Sequence, residues 1–198
     1  MIIKKLIKDI DTLKEHIKTN APSFYFSSQT STVIPYDKIE STLDTDSDYY
    51  LCDLSQMPKN MEILENGNLK VEGAVSWKDA RDFLTPKGMT IKTAPTEELA
   101  LITAGAATSC TGERCFHFGN LRSQIHNISY VDYQGETQTL SKNKPFPYNS
   151  NTLHAYQEEF KLYEVYKKGP YPRFEVETDL LIGTEGQLGV ITQIEIEV

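Results

Sequence analysis

Long apolar runs are missing from this 198-residue chain. Nothing approaches the roughly 20 consecutive apolar residues that cross a bilayer, so no membrane span is expected. Cysteine is scarce, with three residues at 52, 110 and 115 and no C-x-x-C pair. An odd count without paired spacing disfavours both a disulfide framework and a thiolate metal site; it points to reduced thiols and a cytoplasmic location. Positive charge is also short: 20 Lys and Arg stand against 28 Asp and Glu, a net charge of −8. A nucleic-acid partner needs a basic surface, so that class starts badly. Two nucleotide and hydrolase signatures are absent, the G-x-G-x-x-G turn and the G-x-S-x-G elbow, and the four histidines (16, 117, 126, 154) sit in no motif. The opening residues MIIKKLIK look like the start of a leader, but Asp9, Asp11 and Glu15 interrupt any signal-peptide core.

What is present suits one domain of mixed elements. A chain this long buries roughly 70% of its unfolded surface and folds without staples. Apolar residues at helical spacing (Ile3, Leu6, Ile7, Ile10, Leu13, Ile17) predict an amphipathic helix over 2–18, stopped by Ala21-Pro22. Strands are predicted at 24–26, 49–54, 69–73 and 89–93, with a turn at Asn66-Gly67-Asn68. Ser76 caps a predicted helix over 77–84, and composition suggests another over 97–105. Residues 40–48 read as an acidic loop, 128–140 as a hairpin about Gln134-Gly135, 155–166 as a helix, and 190–198 as an alternating terminal strand. Strands and helices mix without regular β-α-β alternation, so the expected class is α+β.

The segment from Asp179 to Thr192, DLLIGTEGQLGVIT, carries glycines at 183, 186 and 189. Residues without a side chain let backbone N–H groups approach a ligand closely, although a plain turn between strands has the same look. This segment resembles the one that closes the FAD-binding domain in the vanillyl-alcohol-oxidase/PCMH flavoprotein superfamily. The likeness is to the branch of D-lactate dehydrogenases, glycolate oxidase subunits and alkyl-dihydroxyacetone-phosphate synthases, where E-G-x-L-G-(I/V)-I-T is typical. Four further stretches resemble family motifs in the same order: LCDLSQM at 51–57, LKVEGAVSWKDARDFL at 69–84, ATSCTG at 107–112, and FGNLRSQIHNISYV at 118–131 running into DYQGE at 132–136.

The resemblance implies a two-lobed α+β module of the PCMH type spanning 1–198, with FAD extended between the lobes and bound non-covalently. It places the pyrophosphate loop on Ser27, Ser28, Gln29, Thr30 and Ser31. It places a second contact stretch on Pro95, Thr96, Leu101, Thr108, Ser109, Cys110 and Thr111, with Gly119 beyond it. The third runs from Glu185 and Gly186 to Gly189, Val190 and Ile191. The implied activity is oxidation of a 2-hydroxy acid or related alcohol, with hydride passing to flavin N5. The family's substrate domain is not expected within this chain, so a second domain or subunit would complete the site around a small-molecule substrate. No metal is expected, and no catalytic residue stands out.

Two departures from the family pattern open another reading. Ser-Ser-Gln replaces glycines in the pyrophosphate loop, and Thr103-Ala104 replaces a glycine pair. Side chains there hinder close backbone approach, although hydroxyls can still donate to phosphate. The alternative is a degenerate homologue serving as a non-catalytic binding or regulatory subunit. Arg114 and Arg122 read either as phosphate partners or as members of ordinary ion pairs, and His117 as a structural residue.

Overall fold

Asp9 decides how the chain begins. In the computed structural model, which describes residues 1–30, 38, 48–166 and 173–198, its carboxylate accepts from the Thr12 amide at 2.7 Å. That cap starts helix α1 (Ile10–Lys18). The expected helix over 2–18 is therefore only half right: Ile2–Leu6 form strand β1. The β-branched Ile2 and Ile3 suit a strand, and β1 finds a parallel partner in β3 (Tyr49–Asp53), with Ile2 opposite Tyr49 and Leu6 opposite Asp53. Strand β2 (Ser23–Phe26) pairs in parallel with the other edge of β3, giving a three-stranded sheet of order β1-β3-β2.

The second lobe is an antiparallel sheet of order β4-β5-β8-β6-β7. Its strands are β4 (Lys59–Ile63), β5 (Leu69–Gly73), β6 (Ile125–Val131), β7 (Thr137–Ser141) and β8 (Val190–Ile196). The sequence reading does not include β4, whose exposed Lys59, Asn60 and Glu62 leave no alternating pattern to detect. Strand β8 alternates as expected but lies between β5 and β6, so even Glu195 is only 8% exposed. Burial pushes that carboxyl up. Side-chain amides of Asn68, Asn66 and Asn127 outweigh the effect and hold it below the ordinary carboxylate range.

Helix α2 (Trp77–Leu84) begins where Ser76 predicts. Ser76 Oγ accepts from the Asp79 amide at 3.0 Å, and the Asp79 carboxylate accepts from the Ser76 amide at 2.9 Å. The segment 89–93 is irregular rather than a strand. Side chains satisfy its backbone and hold its neighbours: the Arg114 guanidinium donates to the Ile91 carbonyl, and Thr93 Oγ1 donates to the Gly119 carbonyl at 2.7 Å. The helix expected over 97–105 starts later, as α3 (Ile102–Ala107), because Leu101 is held extended in a bridge to Ser76. Two four-residue helices follow, α4 (Cys115–Phe118) and α5 (Leu121–Gln124). Helix α6 (Asn151–Phe160) starts at a Ser150 cap, before the expected position, and gives way to a 3-10 segment over Lys161–Tyr166. Ser31 and the acidic stretch 40–47 lie outside the described residues.

Two apolar clusters hold this α+β arrangement together. The larger packs α2 and α3 on the five-stranded sheet through Trp77, Leu84, Ile102, Ala106, Ile128 and Ile194. The smaller joins the lobes, bringing Ile7, Leu13 and Cys52 of the first against Leu101, Val131 and Val190 of the second.

Candidate functional site

The second and third expected stretches meet directly. Helix α3 ends at Thr108, and Ser109 turns the chain with φ 51°. Two amides of the glycine-bearing turn close onto the exposed carbonyls of this helix end: Gly183 N–H donates to Ala106 O at 3.2 Å, and Glu185 N–H to Ala107 O at 2.9 Å. The Ala106 carbonyl also accepts from Ser109 N–H at 3.1 Å, so the turn adds a second donor to a helix end that is already capped locally. The approach is close, since a Cβ on Gly183 would sit 3.3 Å from Ser109 Cβ. Pro95 and Thr96 join the group at Thr111-Gly112. Glu113 N–H donates to Ala94 O at 2.9 Å, and a Cβ on Gly112 would stand only 2.1 Å from that same carbonyl oxygen.

The first stretch arrives through the smaller apolar cluster. Leu101, Ala104 and Val190 pack there with Tyr25 and Leu54. Leu54 N–H donates to Phe26 O at 2.9 Å, which fixes the point where Ser27 to Thr30 leave β2. Within the loop, Ser28 Oγ and Thr30 Oγ1 lie 3.5 Å apart and Gln29 is exposed. Gly119 stands apart from these contacts. Its amide closes α4 and its carbonyl is held by Thr93.

Among the described residues, five that are not glycine have left-handed backbone: Asn20, Gln29, Ser109, Arg114 and Glu185. Three of the five fall one apiece in the three expected stretches. Such backbone is disfavoured for residues with a Cβ and gathers at ligand sites, where neighbouring structure enforces it. Glu185 (φ 54°) is followed by Gly186 (φ 84°), and no atom lies within 4 Å of where a Gly186 Cβ would be. The Glu185 N–H is held by the Ala107 carbonyl, so of this pair only the Gly186 N–H is left for a ligand. No lysine or arginine occurs in 27–31, 95–111 or 185–191, so a bound diphosphate would meet main-chain N–H groups and hydroxyls there.

Ser109 adds a second mark. Its residue is 8% exposed, and its hydroxyl is buried with no hydrogen-bond partner among the described residues. Buried polar groups are nearly always paired, so an orphan in this position fits a site built to receive a polar ligand. Beside it, burial pushes the Cys110 thiol up to about 12, so it stays protonated at neutral pH and is a poor nucleophile.

Several residues are occupied with structural tasks. The buried Arg122 guanidinium pairs with Asp179 and donates to the Ile182 carbonyl at 3.1 Å, next to the Gly183 turn. Asp179 also accepts from the amides of Glu175 and Val176 at 2.9 and 3.1 Å. This anchor, and the left-handed conformations of Ser109 and Glu185, are what a reading of the sequence misses. The only sequence signal for the anchor is a charged residue on each side, embedded in apolar surroundings. His117 is exposed, its ring edge-on to Phe118 at 4.5 Å. A cavity of about 220 Å³ opens elsewhere, among Phe146, Tyr148, His154 and Phe174, and none of the expected site residues lines it. Among the described residues, no group of three or more His, Cys, Asp or Glu is arranged to hold a metal ion.

Comparison with known proteins bears on this arrangement. A family model described as an FAD binding domain matches residues 24–141. None of the curated proteins matches the chain. Among solved structures, alkyldihydroxyacetonephosphate synthase is similar with a TM-score of 0.67 at 14% identity, covering 99% of this chain and 31% of that one. A second crystal form of that synthase gives 0.66 at 13% identity, with the same coverage of 99% and 31%. These two likenesses show a common fold. The chain spans 31% of the length of those structures.

Proposed function

Because the chain belongs to the family of FAD binding domains, we propose that it is the cofactor-holding domain of a flavin-dependent oxidoreductase acting on a 2-hydroxy acid or related alcohol. FAD, when bound, supplies the acceptor for the substrate's hydride, at N5. In this reading Ser27 to Thr30 present hydroxyls and main-chain N–H groups to the diphosphate, and Gly186 adds its main-chain N–H, the Glu185 N–H being held by the Ala107 carbonyl. Thr108 to Thr111, with Pro95 and Thr96, form the adjoining wall, and Gly189 to Ile191 carry the turn back into the sheet. The observation that carries this reading is the meeting of two of the three stretches at the Gly183 and Glu185 amides, with a non-glycine residue in left-handed backbone in each of the three.

Attachment is non-covalent in this reading. The described loop residues Ser27 to Thr30 include no histidine, cysteine or tyrosine, and the Cys110 thiol is held protonated. The substrate-facing wall comes from a second domain or partner chain. A cytoplasmic location goes with this reading, since Cys52, Cys110 and Cys115 form no disulfide with one another. No helix among the described residues is long and apolar enough to cross a membrane.

Incubating the chain with FAD and passing it over a gel-filtration column tests the proposal. Visible flavin absorbance is expected to elute with the protein. If all of it runs with the free cofactor at micromolar protein, the alternative gains: a degenerate homologue that keeps the fold as a binding or regulatory subunit. The exposed, left-handed Gln29 in a loop without glycine is the observation on that side.

A further inference from the structure

The stretch between β7 and the 3-10 turn Glu177–Leu180 frames the aromatic cavity on a short ladder of its own. Phe146 N–H donates to Glu175 O at 3.1 Å and Glu177 N–H to Lys144 O at 3.0 Å, on either side of a bridge between Pro145 and Val176. Helix α6 is tied to this ladder by Gln157 Nε2, which donates to the Phe174 carbonyl at 3.3 Å. The space enclosed is about 220 Å³. Pockets for drug-sized ligands run to roughly 300–1,000 Å³, so an occupant here is small.

The lining selects its chemistry. Phe146 lies 6.0 Å from Tyr148 and 5.2 Å from Phe174, centroid to centroid, with ring planes inclined at 66° and 62°. Rings set so steeply to one another bound a space from different sides rather than pave one wall. Most polar groups around them are already engaged. His154 Nε2 and Asn149 Oδ1 pair at 2.6 Å, and Ser150 Oγ accepts from the Leu153 amide at 3.2 Å. Glu175 is different. Its side chain is exposed and makes no hydrogen bond or salt bridge among the described residues, of which no lysine or arginine lines the cavity.

We propose that this cavity binds a small organic ammonium ion of the methylated-amine class: the rings of Phe146, Tyr148 and Phe174 receive its alkyl groups, and the Glu175 carboxylate balances its charge. Aromatic rings attract such cations through their negative faces, and the attraction grows as water is excluded. The net charge of −8 draws cations towards the chain and repels anions. The same carboxylate repels phosphate, which sets a free ammonium ion above a phosphate-bearing headgroup. None of the expected cofactor residues lines the cavity, so the site is independent of flavin binding.

The test is an NMR titration of the full chain with three probes, each followed by its methyl signal: choline, phosphocholine, and dimethylbutanol, the uncharged isostere of choline with carbon in place of nitrogen. Choline is expected to saturate with a dissociation constant on the order of 1 mM. The other two are expected to bind about tenfold more weakly, one for want of the positive charge and the other through its phosphate. Two variants locate the site. Glu175→Gln, at an exposed position, and Phe174→Leu, which keeps apolar bulk but removes the ring, should each weaken choline binding by about three- to tenfold. Should Phe174→Leu fail to fold, Glu175→Gln and the two comparison probes carry the test. Failure of choline to saturate below about 20 mM overturns the proposal. So does dimethylbutanol or phosphocholine binding as tightly as choline, or a choline affinity unchanged in a folded variant.

Discussion

The loop at 27–30 and the turn at 183–189 bend the chain in related ways with opposite means. The turn carries glycine at 183, 186 and 189, with φ of 84°, 84° and 146°. The loop has no glycine, yet Gln29 takes φ 54°. In the turn, local sequence already permits the backbone that the site needs. In the loop, a residue with a Cβ adopts such backbone against its own preference. The turn is also anchored more heavily, by Arg122 at the Ile182 carbonyl and by two amides on the end of α3. The lesson is that left-handed backbone is reached through glycine in one segment and through a residue with a Cβ in the other.

Removing the anchor is the most disruptive way to test that contrast. Arg122→Ala leaves the Asp179 carboxylate buried and unpaired, and a loss of about 3–5 kcal/mol is expected in chemical denaturation. A loss well under 1 kcal/mol would mean that the turn does not depend on the pair. Next comes Gly189→Ala. Its Cβ would lie 2.5 Å from Tyr130 Cδ2 and 2.8 Å from the Val131 carbonyl, so a loss of about 2–3 kcal/mol is expected. Gly186→Ala meets open space, and only the left-handed penalty of about 1 kcal/mol should remain. Equal losses at the two glycines would contradict the assignment of close approach to 189 alone.

The loop should respond in the opposite direction. Gln29→Gly relieves the left-handed strain, partly offset by a more flexible unfolded chain, so flavin-free stability should hold or rise by about 0.5 kcal/mol. FAD affinity should rise, because a glycine admits a phosphate more closely. A weaker complex would show that the Gln29 side chain itself contributes to binding.

The smallest effect concerns pH. Near the base of the loop's strand, His16 is 2% exposed and its Nε2 lies 2.9 Å from Ser23 Oγ. Burial, reinforced by the nearby Lys5 charge, pushes its pKa below the ordinary 6.5. The unfolded chain therefore takes up a proton at a higher pH than the folded one. The contribution is complete above 6.5 and is lost as pH falls from 6.5 through the folded-state value. Melting temperature measured across that window should fall more steeply with acid for the parent than for His16→Gln.

Parts of this fold are plain in the sequence for local reasons. Ser76 with Asp79 makes a capping box that marks the start of α2 to the residue, and Gln134-Gly135 marks the hairpin of β6 and β7. What failed depends on distant partners. Ile2–Leu6 has helical spacing and becomes a strand because β3 is there to pair with it. Residues 89–93 have strand-like composition, but the Arg114 side chain takes the Ile91 carbonyl that a ladder would have used, and the Thr93 hydroxyl ties the segment to the Gly119 carbonyl. At the site, Gly186 and Gly189 announce unusual backbone by their identity. Gln29, Ser109 and Glu185 do not, since nothing in a glutamine, serine or glutamate signals a left-handed conformation. Family likeness named the stretches to inspect, while the left-handed backbone of Gln29, Ser109 and Glu185 came only from coordinates.

Amide hydrogen exchange with and without FAD tests most directly whether three separated stretches act as one receptor. Slowed exchange is expected together at 27–30, at 108–112 and at 183–191, with the aromatic cavity around Phe146 and Phe174 unaffected. Protection confined to one stretch, or appearing around that cavity instead, would contradict the account.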